Sequence, residues 1–227
     1  MSKEHRISLN GLDLIPDLSG ALFVPDFKTL LIADLHLEKA SNLAKRGVHL
    51  PPYDTRASLT QLEAVITHAQ PEQLIFLGDS FHDDGARARI AEDDLARLRA
   101  ITGRAGTVWI TGNHDPHPPT DVGGRIADEV VFGGVTLRHE PKQLASEEFE
   151  IAGHLHPGSA VSQRGKHIHC KCFIGNVSRL IMPAFGSFTG ALSISAPPFK
   201  GLFAKKDFHV WMLGQRAIYK FPARRVK

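Results

Sequence analysis

The chain is poor in cysteine: it has only Cys170 and Cys172, one residue apart, among 227 residues. That scarcity excludes a disulfide framework and fits a reducing cytoplasm. Aromatic residues are also scarce, at 7%, and form no cluster of the kind on which exposed nucleobases stack. Long apolar runs are missing. A run such as Thr29 to Ala33 is far too short to cross a bilayer, so no membrane partner is expected. The polar start "MSKEHRISLNG" predicts no signal peptide. With no repeat, low-complexity tract or Gly/Ser linker, the chain is expected to fold as a single domain, 1–227. A net charge of +3 permits a nucleic-acid partner without requiring one.

Histidine is what the chain has in quantity, with 13 of them, several beside Asp, Asn or Gly. So many imidazoles against so few thiols point any metal site to N and O ligands. In the first half, Ile7 to Leu9 and Ala21 to Val24 read as short strands. Thr29 to Ala33, Leu74 to Leu77 and Thr107 to Thr111 read as buried strands. Between them, Lys39 to Arg46, Thr55 to Ala69 and residues 91–101 carry helical patterns, with Asp54 as the N-cap of the second. Alternating strands and helices predict an α/β sheet. The second half reads as strands with little helix: Val130 to Phe132, Val135 to His139, Glu150 to Gly153, His167 to Phe173, Arg179 to Met182 and Val210 to Leu213. A second, largely antiparallel sheet packed on the first is expected.

Each core strand of the first half stops at a metal-compatible group: Asp34 and His36, then Asp79, then Asn113 and His114. Two later strands lead to His139 and to His154 and His156. Ligands of α/β sheets lie beyond the carboxyl ends of strands, so five strand ends are expected to meet at one place. Asp34 and His36, two apart at a strand end, point the same way. Carboxylate, imidazole and amide oxygen suit Mn, Fe, Zn or Mg, and so many groups suit two ions better than one. Two metals about 3.5–4 Å apart commonly serve phosphoryl hydrolysis, holding a bridging hydroxide as nucleophile and offsetting charge on phosphorus.

In order, "DLH", "GD", "GNHD", His139 and "GHLH" resemble the calcineurin-like metallophosphoesterases over residues 29–157. The resemblance implies a four-layer α-β-β-α sandwich of two packed mixed sheets. It implies that Asp34, His36 and His156 hold one metal, that Asn113, His139 and His154 hold the other, and that Asp79 bridges them. His114 would assist the leaving group, and Asp115 would orient His114. "ADLHLEKASNLAKRG", "LPPYDT", "LGDSFHD", "GNHDP", "GHLHP" and "MPAFGSFTGAL" are further similar to the bacterial ligase-associated DNA-damage-response endonucleases, the PdeM group, to about residue 192. This implies a cytoplasmic phosphodiesterase, a DNA endonuclease of repair, carrying two divalent ions, Mn above Fe, Zn or Mg. Its substrate would be single-stranded or damaged DNA, and its functional company a DNA ligase, a helicase and an exonuclease.

Departures from the wider pattern bear on the substrate. The protein-phosphatase branch carries an Arg shortly after "GD", whereas "GDSFHDDGAR" has Asp83 and Asp84 there and Arg87 as its first Arg. A dianionic monoester is best clamped by a bidentate Arg, so a diester is favoured. A phosphomonoesterase and a non-catalytic scaffold on the same fold are the alternatives. His82 reads as a substrate contact or a turn cap. Arg46 reads as a phosphate contact or a solvated helix-end cation. Glu38 reads as lying behind a metal ligand or facing solvent. In "KHIHCKC", strand periodicity puts His167, His169 and Lys171 on one face and Ile168, Cys170 and Cys172 on the other, against a thiolate site. The tail Arg224 to Lys227 reads as a solvated end that adds sequence-blind affinity for phosphates. His117 has no assigned role.

Overall fold

The computed structural model describes residues 5–48, 50–163, 166–204 and 207–226. Its first sheet runs in chain order: β1 (Ile7–Leu9), β2 (Leu12–Pro16), β3 (Leu22–Val24), β4 (Thr29–Ile32), β5 (Gln73–Leu77), β6 (Gly106–Ile110) and β7 (Arg125–Ala127). The first four strands pair antiparallel, and β4 through β7 pair parallel. Leu30 to Ile32, Leu74 to Leu77 and Val108 to Ile110 make β4 to β6 apolar beyond their first residues because both faces are covered. On one face lie α2 (Asp54–Ala69) and α3 (Glu92–Thr102), with the short α1 (Lys39–Lys45) beside α2. Leu59, Leu62, Leu95 and Leu98 of these helices seal Leu30, Ile32, Phe76 and Trp109 of the sheet. The boundaries predicted for strands and helices of this half hold to within a residue, while β2 and β7 have no predicted counterpart. Asp54 does not cap its own helix, however. Its Oδ2 accepts the Ala40 N–H at 2.9 Å and so caps α1.

The other face packs on the second sheet, where Leu31, Ile75, Leu77 and Ile110 meet Leu137, Ile151, Phe173 and Trp211. That sheet comprises β8 (Val130–Phe132), β9 (Val135–Arg138), β10 (Glu150–Ala152), β11 (Pro157–Gln163), β12 (Lys166–Gly175), β13 (Arg179–Ile181), β14 (Leu192–Ser193), β15 (His209–Leu213) and β16 (Ile218–Pro222). Most of its pairs are antiparallel, as expected, but β9, β10 and β13 at its centre run parallel. Residues 139–149 link β9 to β10 as a crossover rather than a hairpin, and that lets β10 keep the direction of β9.

Two packed mixed sheets are thus present. The outer layer over the second sheet is a loop with a 3-10 turn at Pro197–Phe199; among the described residues no α-helix follows Thr102. Ile194, Phe199, Leu202 and Phe203 of this loop cover Ile174, Ile181 and Met212. The Arg179 guanidinium pins it by donating to the Leu202 carbonyl. Arg179 also clasps the fully buried Glu150, whose other oxygen accepts from Arg138 Nη1 at 2.8 Å. Removing one partner of a buried ion cluster strands the other charges. Glu150→Ala is therefore expected to lower stability by about 3–5 kcal/mol in urea denaturation. A loss below about 1 kcal/mol, the range of exposed pairs, would show that the clasp contributes little.

Candidate metal centre

The site forms where strands stop. β4 ends at Ile32 and β5 at Leu77, and the loops beyond them stay zipped together. The His36 N–H donates to the Asp79 carbonyl and the Leu37 N–H to that of Ser80, each at 2.9 Å. Leu35, Leu37 and Phe81 turn into the helical core, while Asp34, His36 and Asp79 turn into the seam between the sheets. Asp34, His36 and Asp79 have φ of +54°, +46° and +49°, and His154 and His156 beyond β10 have +67° and +45°. Asp and His tolerate this left-handed region better than most side chains. Asp34 and His36 do share a site, but through left-handed turns rather than the pleat of a strand.

Three groups of ligand-capable atoms result; two include a carboxylate, Asp34, His36 and His156, and Asp79, His139 and His154, and the third, His36, His82 and His114, is all imidazole. Within each, the atoms lie within 4.8 Å of one another. His36 Nε2 is 3.2 Å from His156 Nε2 and 3.7 Å from Asp79 Oδ2. His139 Nε2 is 3.3 Å from Asp79 Oδ1, 3.1 Å from His154 Nδ1 and 2.9 Å from Asn113 Oδ1. Asp79 thus touches both groups that include a carboxylate. The His139 Nδ1–H donates to the Leu77 carbonyl at 2.9 Å, which aims Nε2 at the seam. The electrostatics favour added positive charge. Burial lowers the His139 pKa, but the hydrogen bond to Asp79 and the charges of Asp34 and Asp79 outweigh it and raise the value to about 9. Burial raises the Asp79 pKa, but His139 and the His114 N–H outweigh it and hold the value at about 2. Burial, opposed by Asp79 and reinforced by neighbouring imidazoles, drives His36 down to about 2 and leaves it the neutral ring a metal needs. An all N and O donor set around buried carboxylates fits two divalent ions.

Comparison with known proteins agrees. Residues 27–170 match the family model described as calcineurin-like phosphoesterase. This chain belongs to that family. It is similar over 96% of its length to 99% of the nuclease MPE of Pseudomonas putida, at 29% identity and a TM-score of 0.74. It also aligns with Yfce, a phosphoesterase from E. coli, at 14% identity and a TM-score of 0.42, covering 86% of this chain and 98% of that one. Comparison with curated proteins finds no match.

In this phosphoesterase Asp115 has a different task from the expected one. Its oxygens accept the N–H groups of Asp79, Ser80 and Phe81 at 2.9, 2.8 and 3.1 Å. The His114 ring is instead held by its Nδ1, 2.9 Å from the His82 carbonyl. His82 is tied to His114 twice: its carbonyl fixes the His114 ring, and its own ring stacks on that of His114 with centroids 5.0 Å apart. Its Nδ1 lies 3.3 Å from His36 Nδ1. Burial, with His114 and Lys39 nearby, lowers its pKa to about 4. Glu38 neither backs a metal ligand nor faces solvent; it is buried and accepts the Thr55 hydroxyl at 2.8 Å. His117 is exposed. Cys172 is buried and Cys170 half-buried, and neither joins a candidate metal group among the described residues. The side chain of His167, like all of Lys227, lies outside the described residues.

A cleft of about 500 Å³ opens beside the centre, lined by Lys39, Arg46, His82, Asp83 and His114 among others. Arg46 and His82 are thus brought to the site. Lys39 escaped the sequence reading because a lysine opening a helix looks ordinary. Lys171 escaped it too. Its Nζ donates to the carbonyls of Ala184 and Gly186 at 2.8 and 3.1 Å and to Thr189 Oγ1 at 2.7 Å. The Gly186 N–H in turn holds the Asp34 carbonyl at 3.1 Å.

Gly112 does not have a positive φ, so the turn does not require it; it supplies space. A methyl there would stand 2.3 Å from both Asp79 N and Asp79 Oδ1 and 2.6 Å from Asp115 Oδ1. Gly112→Ala is therefore expected to lose metal as fully as Asp79→Ala, read by elemental analysis after Mn loading. Retention of two ions would show that the floor of the site can shift.

Proposed function

We propose that this phosphoesterase is a two-metal phosphodiesterase that cleaves DNA. The observation that carries the reading is the pair of ligand groups joined by Asp79, with His114 exposed at their rim. Asp34, His36 and His156 would hold one ion and Asn113, His139 and His154 the other, with Mn the ion proposed. When bound, such ions lower the pKa of water and offset charge on phosphorus. The chain's own part is positioning and proton transfer. The His114 Nδ1–H donates to the His82 carbonyl, so Nε2 is the nitrogen left for the substrate, and it gives a proton to the leaving oxygen only from the doubly protonated ring. Asp115 keeps Asp79 in place by gripping the backbone beneath it.

Two observations favour a diester. The arginines that follow "GD" are both committed: Arg87 to Asp121, with Nε 2.9 Å from Oδ2, and Arg89 to Asp83, with Nη1 2.9 Å from Oδ1. Neither is free to clamp a monoester dianion. The likeness to a nuclease along nearly the whole chain supports nucleic acid as substrate. A setting in DNA repair, alongside a ligase, a helicase and an exonuclease, rests on the subfamily motifs.

Mn-loaded protein is expected to hydrolyse bis-p-nitrophenyl phosphate and single-stranded DNA, and p-nitrophenyl phosphate poorly. His114→Ala should cut turnover about 10²–10⁴-fold with both ions retained, whereas Asp79→Ala should lose metal. A preference for the monoester would replace this reading with a phosphomonoesterase. Inertness on every diester would leave a scaffold. Metal loss in His114→Ala would move His114 into the ligand set.

A further inference from the structure

The cleft beside the metal centre has one wall made by a single helix face. Lys39, Asn42 and Arg46 stand at i, i+3 and i+7 of α1 and its C-cap, so they line up on one side. Lys39 is the inner cation: its charge is felt by His82, which touches His36. Arg46 is the outer one, about 10 Å further along the helix axis.

Both cations are free. Among the described residues neither Lys39 nor Arg46 forms an ion pair, whereas Arg56, Arg87, Arg89, Arg97, Arg99, Arg138 and Arg179 all do. The opposite wall carries two carboxylates, of which Asp83 is already compensated and Asp84 forms no ion pair among the described residues. The Asp83 carboxylate is taken up by Arg89 and by Asn42 Nδ2 at 2.7 Å, and Arg89 Nε also donates to Ser41 Oγ at 2.8 Å. This network ties α1 to the facing turn, so the wall is held in place before any substrate arrives.

We infer that this wall is a phosphate track: Lys39 meets the phosphodiester being cut, and Arg46 meets a neighbouring phosphate of the same strand. The inference rests on the phosphodiesterase reading above and adds the two residues that would hold consecutive phosphates of one strand along the cleft. Arg46 stands about 10 Å from Lys39 along the helix axis, so a diester with one phosphate engages the centre and Lys39 but not Arg46. Phosphate contacts of this kind position the strand and are blind to its sequence.

The test compares Arg46→Ala with the unmodified Mn-loaded enzyme on a single-stranded oligonucleotide and on bis-p-nitrophenyl phosphate. The ratio of kcat/KM on DNA to that on the small diester is expected to fall about tenfold, the usual scale for a lost hydrogen bond to a charged group. The slope of log kcat/KM on DNA against log salt should become shallower by about 0.7, one phosphate contact on a single strand. Arg46→Lys should restore the salt slope, since charge alone sets it. Lys39→Met should lower both activities. Equal losses on both substrates in Arg46→Ala, or an unchanged salt slope, would overturn the track. An unmodified enzyme that cleaves the small diester but no oligonucleotide would overturn the track and leave the phosphodiesterase reading standing; one that cleaves neither would overturn both.

Discussion

Two carboxylates sit at the seam between the sheets, Asp34 with no exposure and Asp79 at 2%. Burying a charged group costs several kcal/mol unless partners compensate it. Here the partners come from both sheets. Asp34 belongs to the first sheet and accepts the His154 N–H of the second, at 3.0 and 3.1 Å to its two oxygens. Asp79, also of the first, takes the His114 N–H at 2.9 Å from its own side and the His139 ring from the other. The need to compensate these charges fixes how the sheets meet at this edge. It also explains Gly78, where a Cβ would lie 2.5 Å from the His139 ring. The sheets approach so closely there that only a residue without a side chain fits.

The same need explains the parallel centre of the second sheet. His139 and His154 follow β9 and β10, and both must arrive at one edge. Parallel strands deliver both carboxyl ends to that edge, where a hairpin would send one of them away. The layer farthest from the chemistry is less regular. Arg179 and Glu150 anchor a loop over the outer face, and no helix is needed to bury Ile174, Ile181 and Met212.

Much of this was legible in the sequence. Strands covered on both faces leave unbroken apolar runs, which is why β4, β5 and β6 stood out. Polar residues directly after such runs have no structural reason to be there, which is why the ligand-capable groups stood out. What escaped depends on partners distant in sequence. Asp54 caps α1 from 14 positions away, a pairing no local pattern encodes. Asp115 follows His114 and invited a local pairing, yet its oxygens serve backbone groups 34 to 36 positions earlier. Lys171 has the strand position of an outward-facing residue, and only the fold reveals that the 184–189 loop lies over it. Burial lowers its pKa to about 8, opposed by Asp34, a sign of how closely this amine sits behind the site.

The segment after β6 shows how one site can combine rigidity with access. Asn113 and His114 are exposed, while Asp115 is buried. The buried residue fixes the floor by gripping the turn that presents Asp79. The exposed residues face whatever enters the cleft. The left-handed backbone at Asp34, His36, Asp79, His154 and His156 belongs to the floor as well. Such conformations carry strain of roughly 1–3 kcal/mol each and persist only where the surroundings over-determine them. The zipped loops beyond β4 and β5, the Asp115 grip and the Lys171-held loop behind Asp34 supply those surroundings. The floor is therefore closed to change by packing; of the rim residues, His82 and His114 still abut His36, which leaves Lys39 and Arg46 as the positions that would select substrate without disturbing the groups that would hold metal.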